Sequence, residues 1–226
     1  MLRSLFPQID WSQVVHVGFD LDGTLYDEFD FIVQAYRPVA CRIAQATGQE
    51  DIAVYDVLTR RWLEKGSSYP KIFSETLQAG GVDGDAAQPI IRDCLADFRN
   101  CWPELRLSAR TRAILDTCAA SFRLFIVTDG NCALQRRKVD ALGLGTWFGA
   151  AQIAISGCRE DGIQKPSPMM LSGLRDALAL RLSPQSVVFF GDRDVDRDFA
   201  VEAGFAFVRV HHMCPIPDPE LLSETP

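Results

Sequence analysis

Four short apolar runs in this chain lead into polar signatures, and this arrangement constrains the fold more than any other feature. Val14-Val15-His16-Val17-Gly18-Phe19 runs straight into Asp20-Leu21-Asp22-Gly23-Thr24-Leu25. Residues 122–127 run into Thr128-Asp129-Gly130-Asn131, and residues 151–155 precede Lys165-Pro166. Residues 187–190 run into Gly191-Asp192-Arg193-Asp194-Val195-Asp196. Continuous apolar runs of this length suit strands buried on both faces, as in parallel sheets. Parallel strands share a direction, so the groups at their C-terminal ends gather along one edge, where open α/β sheets bind ligands.

The first signature carries the most chemistry. Two carboxylates two residues apart, on a strand too apolar to face water, suit a nucleophile and a Mg²⁺ site better than a helix cap or a solvated turn. Gly23 allows a sharp turn and Thr24 adds a short hydroxyl. Between the runs the periodicity is helical. Ser108 caps a helix over 109–119, and further helices are expected over 133–142, 167–180 and 196–203, with Gly204 closing the last. A fifth strand is expected over 205–210. Strand and helix alternate, which predicts a doubly wound α/β sheet with right-handed crossovers.

Taken in order, the signatures resemble the four motifs of the haloacid dehalogenase superfamily of phosphotransferases. DLDGT is similar to the first motif, the Thr of VTDG to the second, the Lys of QKP to the third and GDRDVD to the fourth, over roughly residues 14–210. The resemblance implies a Rossmann-like core of about five parallel strands. It implies Asp20 as the nucleophile that forms an aspartyl-phosphate, and Asp22 as the general acid-base group, whose backbone carbonyl also ligates Mg²⁺. Asp20 and Asp192 are the implied side-chain metal ligands, with Asp196 supporting the metal through water and Asp194 and Asp198 further candidates. Thr128 and Lys165 would contact phosphate, and Asp129, Gly130 and Asn131 would line the same site. Asp129 stands where the family often carries Asn.

The stretch from Asp20 to Thr128 is far longer than one crossover helix needs, whereas that from Thr128 to Lys165 is short. The excess lies in residues 28–100, whose pattern is helical. Apolar residues recur from Phe31 to Ile43 ahead of Gly48, and from Ile52 to Leu63 ahead of Gly66. A short helix at 72–77 ends at Gly80-Gly81, and a fourth is expected to start at Pro89 and run to Phe98. Residues 1–27 and 101–226 are therefore expected to form the core, and 28–100 an inserted helical cap. An insertion at this point resembles the family's first cap type, which closes over the active site. Arg37, Arg60, Arg61, Lys65, Tyr69 and Lys71 are its polar candidates for substrate contact, while Phe29, Phe31 and Trp62 suit its core.

A hydrophobic share of 47% in 226 residues supports a substantial core. A net charge of −7 argues against nonspecific binding to nucleic acid or anionic membranes, and no apolar run reaches the length of a membrane span. The seven cysteines form no CxxC pair and are expected to be free thiols in a reducing, cytoplasmic setting. His211-His212 with Cys214 offers too few ligands for zinc, and the Pro-rich segment from Cys214 is expected to be a loose tail. The expected activity is Mg²⁺-dependent hydrolysis of a small phosphorylated metabolite, such as a sugar phosphate or nucleotide. A phosphomutase and a non-catalytic phosphometabolite-binding protein stand as alternatives. Asp22 disfavours a dehalogenase, whose branch does not need that second carboxylate.

Overall fold

In chain order the elements are α1 (Leu2–Leu5), β1 (His16–Phe19), α2 (Glu28–Thr47), α3 (Asp51–Lys65), α4 (Ile72–Ala79), α5 (Gly84–Arg99) and α6 (Ala109–Ala119). They continue with β2 (Arg123–Thr128), α7 (Cys132–Ala141), β3 (Ile153–Ile155), α8 (Ser172–Ala177), β4 (Val187–Gly191), α9 (Asp194–Ala203), β5 (Ala206–His211) and β6 (Cys214–Pro215). This computed structural model describes residues 1–177 and 186–215. Two compact units result, one of Met1–Glu28 with the described residues from Leu105 onward, the other of Phe29–Glu104.

The first unit is built on a sheet of strand order β3-β2-β1-β4-β5-β6. The five strands β1 to β5 are mutually parallel, while the two-residue β6 runs antiparallel to β5. β1 lies at the centre and every residue in it is buried. Gly18 sits between the rings of Phe125 and Phe189, and a Cβ there would stand 2.4 Å from the Phe125 ring, so the central strand needs glycine at this position. Phe19 stacks on Phe190 at 5.4 Å, and Phe6 meets the edge of Phe190 at 4.9 Å, which ties the N-terminal segment to the core. Phe125, Val127, Met170, Leu171, Leu174, Val187, Phe189 and Phe199 form a further cluster at which α8 and α9 pack on the strands.

With this order, the chain winds from β1 towards β2 and β3, then crosses to β4 on the other side of β1. The loops after β1 and β4 therefore part at a topological switch point, which is where such sheets open a crevice.

The second unit holds α2 to α5. Phe31, Tyr36, Phe73 and Phe98 form its aromatic core, with ring centroids 5.2 to 6.3 Å apart. Leu58, Leu77 and Cys94 of the same unit are fully buried. α5 corrects the sequence reading. It begins at Gly84, five residues before Pro89, and carries Pro89 inside it. Burial of Ala87 and Cys94 on one face holds the helix through the missing N–H, so packing overrides the local break signal.

Three further expectations change. The helix expected over 167–180 opens as a 3₁₀ turn at Pro168–Leu171, capped by Ser167, before α8, and residues 178–180 lie outside the described residues. Cys214 does not open a loose tail. From β6 it pairs with His211 of β5, and the rest of the expected tail, from 216, lies outside the described residues. Finally, Cys132 and Cys158 form a disulfide, so the expectation of seven free thiols fails at those two positions. Cys132 follows Asn131 at the start of α7, and Gly157 next to Cys158 donates its N–H to the Gly130 carbonyl at 3.0 Å, so the two segments already touch through their backbones. No helix among the described residues is long and apolar enough to cross a membrane.

Candidate active site

The loops after β1, β2 and β4 and the segment around Lys165 meet in the first unit. Lys165 Nζ donates to Asp20 Oδ1 at 2.6 Å and to Asp196 Oδ1 at 2.5 Å, and all three side chains are fully buried. Asp196 Oδ2 also accepts from the Arg193 N–H at 3.0 Å, which fixes the start of α9. Thr24 donates to Asp192 Oδ1 at 3.2 Å. Gly23 has φ +75, and a Cβ there would lie 2.5 Å from Asp192 Oδ2. Only glycine combines that conformation with so close an approach of the two carboxylate loops.

These contacts leave one conspicuous atom. Asp20 Oδ2 is buried and has no hydrogen-bond partner. Burial pushes the Asp20 carboxyl well up, Lys165 pulls it down, and Asp196 and Asp192 push it up again. Asp192 is raised to about 6, first by burial and then by Asp196. Oxygen atoms of Asp20, Asp192 and Asp196 lie within 4.8 Å of one another. A buried set of hard carboxylate oxygens with an orphaned acceptor and excess negative charge fits a divalent cation such as Mg²⁺. Asp194 and Asp198 do not join this cluster. Both are exposed; Asp194 pairs with Arg209 and Arg197, and Asp198 with Arg197.

Asp22 sits in different surroundings. Its Oδ1 accepts from the Tyr26 hydroxyl and from Lys138 Nζ at 2.7 Å, and its Oδ2 from Gln135 Nε2 at 2.8 Å. Burial pushes this carboxyl up, but the Lys138 charge and the hydrogen bonds from Lys138, Tyr26 and Gln135 together outweigh it, so the net direction is down. The two carboxylates of one loop are thus driven apart, Asp20 up and Asp22 down.

The remaining predicted residues lie around these. Thr128 is buried, and its Oγ1 accepts from Gln135 Nε2 at 2.8 Å. Asp129 Oδ1 accepts from the Lys165 N–H at 3.2 Å, joining the loop after β2 to the lysine segment. Gly130 N–H donates to Ser156 Oγ at 3.1 Å. Asn131 caps α7 by accepting from the Leu134 N–H at 3.1 Å. Sequence reasoning had no place for Tyr26, Gln135 or Lys138. Within the run Gln135-Arg136-Arg137-Lys138, Gln135 and Lys138 are only 1% and 3% exposed. Their three-residue spacing, which puts them on one helix face, was the available signal. Sequence reasoning also missed Arg209, which donates to the Asp192 carbonyl at 2.9 Å and so braces the loop after β4.

In the second unit, Arg61 pairs with Glu75 at 2.7 Å and Glu64 at 3.1 Å, and Tyr69 donates to Glu75. Arg37 lies over the Tyr55 ring at 5.7 Å.

The chain is 29% identical over 198 residues to a glyceraldehyde 3-phosphate phosphatase of Methanocaldococcus jannaschii, covering 85% of this chain and 82% of the relative. Its fold matches a haloacid dehalogenase superfamily hydrolase, subfamily IA, of Geobacter sulfurreducens, with a TM-score of 0.66 at 20% identity over 88% of this chain and 93% of that one. It also matches YfnB of Bacillus subtilis, a putative hydrolase solved with magnesium bound, with a TM-score of 0.63 at 19% identity over 92% and 91% of the two chains. Residues 14–204 match the model of the haloacid dehalogenase-like hydrolases, a span that holds every loop of the carboxylate and lysine cluster. With both its fold and its ordered strand-end signatures accounted for, this chain belongs to the haloacid dehalogenase-like hydrolase family.

Proposed function

We propose that the protein is a Mg²⁺-dependent phosphatase acting on a small phosphorylated metabolite, a sugar phosphate or nucleotide, through an aspartyl-phosphate on Asp20. The observation that carries this reading is the Asp20 carboxylate, with one oxygen held by Lys165 and the other buried without a partner. The unpartnered oxygen suits a bound cation, and the oxygen oriented by Lys165 suits attack on phosphorus. Mg²⁺ held by Asp20, Asp192 and the Asp22 backbone carbonyl, with Asp196 in support, would neutralise the repulsion between a carboxylate and a phosphate dianion.

The other residues act around the phosphoryl group. Asp20 attacks phosphorus, and the bond from phosphorus to the leaving oxygen breaks. Asp22 delivers a proton to that oxygen and later takes one from the water that hydrolyses the intermediate. Lys165 and Thr128 neutralise and hydrogen-bond the phosphate oxygens. Asp129, Gly130 and Asn131 shape the loop that carries Thr128. The M. jannaschii relative, by name a phosphatase of a three-carbon sugar phosphate, supports the substrate class.

The decisive measurement is release of inorganic phosphate from a panel of phosphomonoesters, with Mg²⁺ and with EDTA. Turnover that persists without divalent metal would defeat the metal reading, and no release from any ester would defeat the phosphatase reading. The pH dependence follows from Asp192. Its carboxyl is raised from 3.8 to about 6 in the folded chain. The stability it contributes to the metal-free fold is therefore present below about pH 4 and lost as pH rises through about 6. A metal needs the ionised form, so stabilisation by Mg²⁺ should be weak at pH 5 and grow towards pH 7.5. Melting curves at fixed Mg²⁺ across that range check the sign, and a larger shift at pH 5 would reverse it.

The helical unit of residues 29–104 is proposed as the cap that excludes water and reads the leaving group. Its insertion directly after the nucleophile loop supports this. Exchanging Arg37, Tyr69 or Lys71 should change which natural ester is preferred and leave p-nitrophenyl phosphate hydrolysis nearly unchanged. Equal losses on all esters would count against a reading role.

A further inference from the structure

We infer that Lys138 and Gln135 are positioning residues that hold the Asp22 carboxylate in the orientation that activates water against the aspartyl-phosphate. The inference rests on the phosphatase reading above and assigns work to a helix that none of the four motifs contains.

The geometry is specific. Asp22 receives three donors, two on Oδ1 and one on Oδ2, so its carboxylate plane cannot turn without breaking a bond. Gln135 Nε2 reaches Asp22 Oδ2 at 2.8 Å, Thr128 Oγ1 at 2.8 Å and the Asp129 carbonyl at 3.1 Å. One amide therefore sets the acid-base carboxylate and the phosphate-binding hydroxyl against each other. Gln135 and Lys138 lie on the same face of α7, which begins immediately after the Thr128 loop. A fold needs no such arrangement, because a buried ion pair is commonly replaced by apolar residues at little cost in stability. Here the ammonium is nearly inaccessible, its side chain 4% exposed, and it is spent on a group proposed for proton transfer.

The step concerned is the second half-reaction. The oxygen of water forms a bond to phosphorus, the bond from phosphorus to the Asp20 oxygen breaks with its electron pair returning to that carboxylate, and the water proton passes to Asp22. A carboxylate tilted out of line with the water slows this step, and it leaves the first attack by Asp20 intact when the leaving group departs without a proton. Small misplacements of a catalytic group can cost about 10²-fold.

Pre-steady-state kinetics on p-nitrophenyl phosphate separate the two half-reactions, because its leaving group departs without a proton. Lys138→Met and Gln135→Met should lower kcat by about 10²-fold, the scale of a general base. kcat/KM should stay near wild type in Lys138→Met and fall less than kcat in Gln135→Met, which also releases Thr128, and a burst of p-nitrophenolate should precede the slow steady state in both. Lys138→Arg should recover part of kcat. Asp22→Asn should show the same burst, and adding Lys138→Met to it should cost nothing further, as expected when one residue acts only through the other. Gln135→Met leaves no unpaired buried charge, so it keeps the test open if Lys138→Met fails to fold. A parallel fall in kcat and kcat/KM without a burst, or a full additional loss in the Asp22→Asn background, would overturn the inference. A burst in Asp22→Asn with wild-type behaviour in both α7 variants would overturn it alone, whereas wild-type turnover of Asp22→Asn would remove the Asp22 role and the inference together.

Discussion

Asp20→Asn should abolish turnover, with phosphate release down by about 10³-fold or more on every phosphomonoester. Asparagine keeps the shape of the side chain and can still accept a hydrogen bond from Lys165, so the fold should survive. The amide is a far poorer nucleophile than the carboxylate, and it removes one negative charge from the cluster of Asp20, Asp192 and Asp196. In the metal-free protein the variant should melt no lower than wild type, because the carboxyl it replaces is wholly buried and strongly raised in pKa by that burial. Stability and activity therefore move independently. Phosphate assay and thermal melting of the same preparation check this, and wild-type turnover by Asp20→Asn would end the covalent mechanism.

Lys165→Met should damage both properties. The ammonium bridges Asp20 and Asp196, and none of the three side chains is exposed. Removing it leaves two buried carboxylates facing each other without their shared counter-charge. Breaking a buried pair in this way typically costs about 3–5 kcal/mol. For a chain of this size, each kcal/mol lowers Tm by about 2–4 °C, so a fall of about 10 °C is expected. Turnover should drop by at least about 10²-fold, since phosphate loses its fixed cation and Asp20 its orienting donor. Mg²⁺ should recover part of the stability by supplying positive charge to the same carboxylates. A melting temperature within about 2 °C of wild type would contradict the reading of Lys165 as the keystone of this cluster.

Much of the architecture was legible in the chain. The five parallel strands appear where apolar runs stand, within one or two residues, because strands buried on both faces leave little choice of residue. Ser108 and Gly204 mark helix ends as expected, since capping chemistry is local. Misreadings fall where long-range contacts outweigh local signals. Pro89 looked like a helix start and lies within α5 because the face around Ala87 and Cys94 is buried. Cys214 looked like the start of a tail, whereas the turn just before it is held by the His212 and Met213 N–H groups, which donate to the Gly23 and Thr24 carbonyls at 3.0 Å each.

The site divides along the same line. Asp20, Asp22, Thr128, Lys165, Asp192 and Asp196 could be named from sequence because each follows a strand whose end must lie on one edge of the sheet, and the strand order of a doubly wound fold brings those ends together. Their individual environments could not be read that way. Lys165 is shared by Asp20 and Asp196, while Asp22 is served by Tyr26, Gln135 and Lys138. Lys138 is 116 residues from Asp22, and no periodicity announces such a partnership. The Cys132–Cys158 disulfide, between cysteines 26 positions apart, belongs to the same class. Sequence by itself determined which groups gather at the C-terminal edge of the sheet, because strand burial and chain direction are local properties repeated along the chain. Tertiary structure alone decided which charge each carboxylate meets, because that depends on distances of a few ångströms between segments that are remote in the chain.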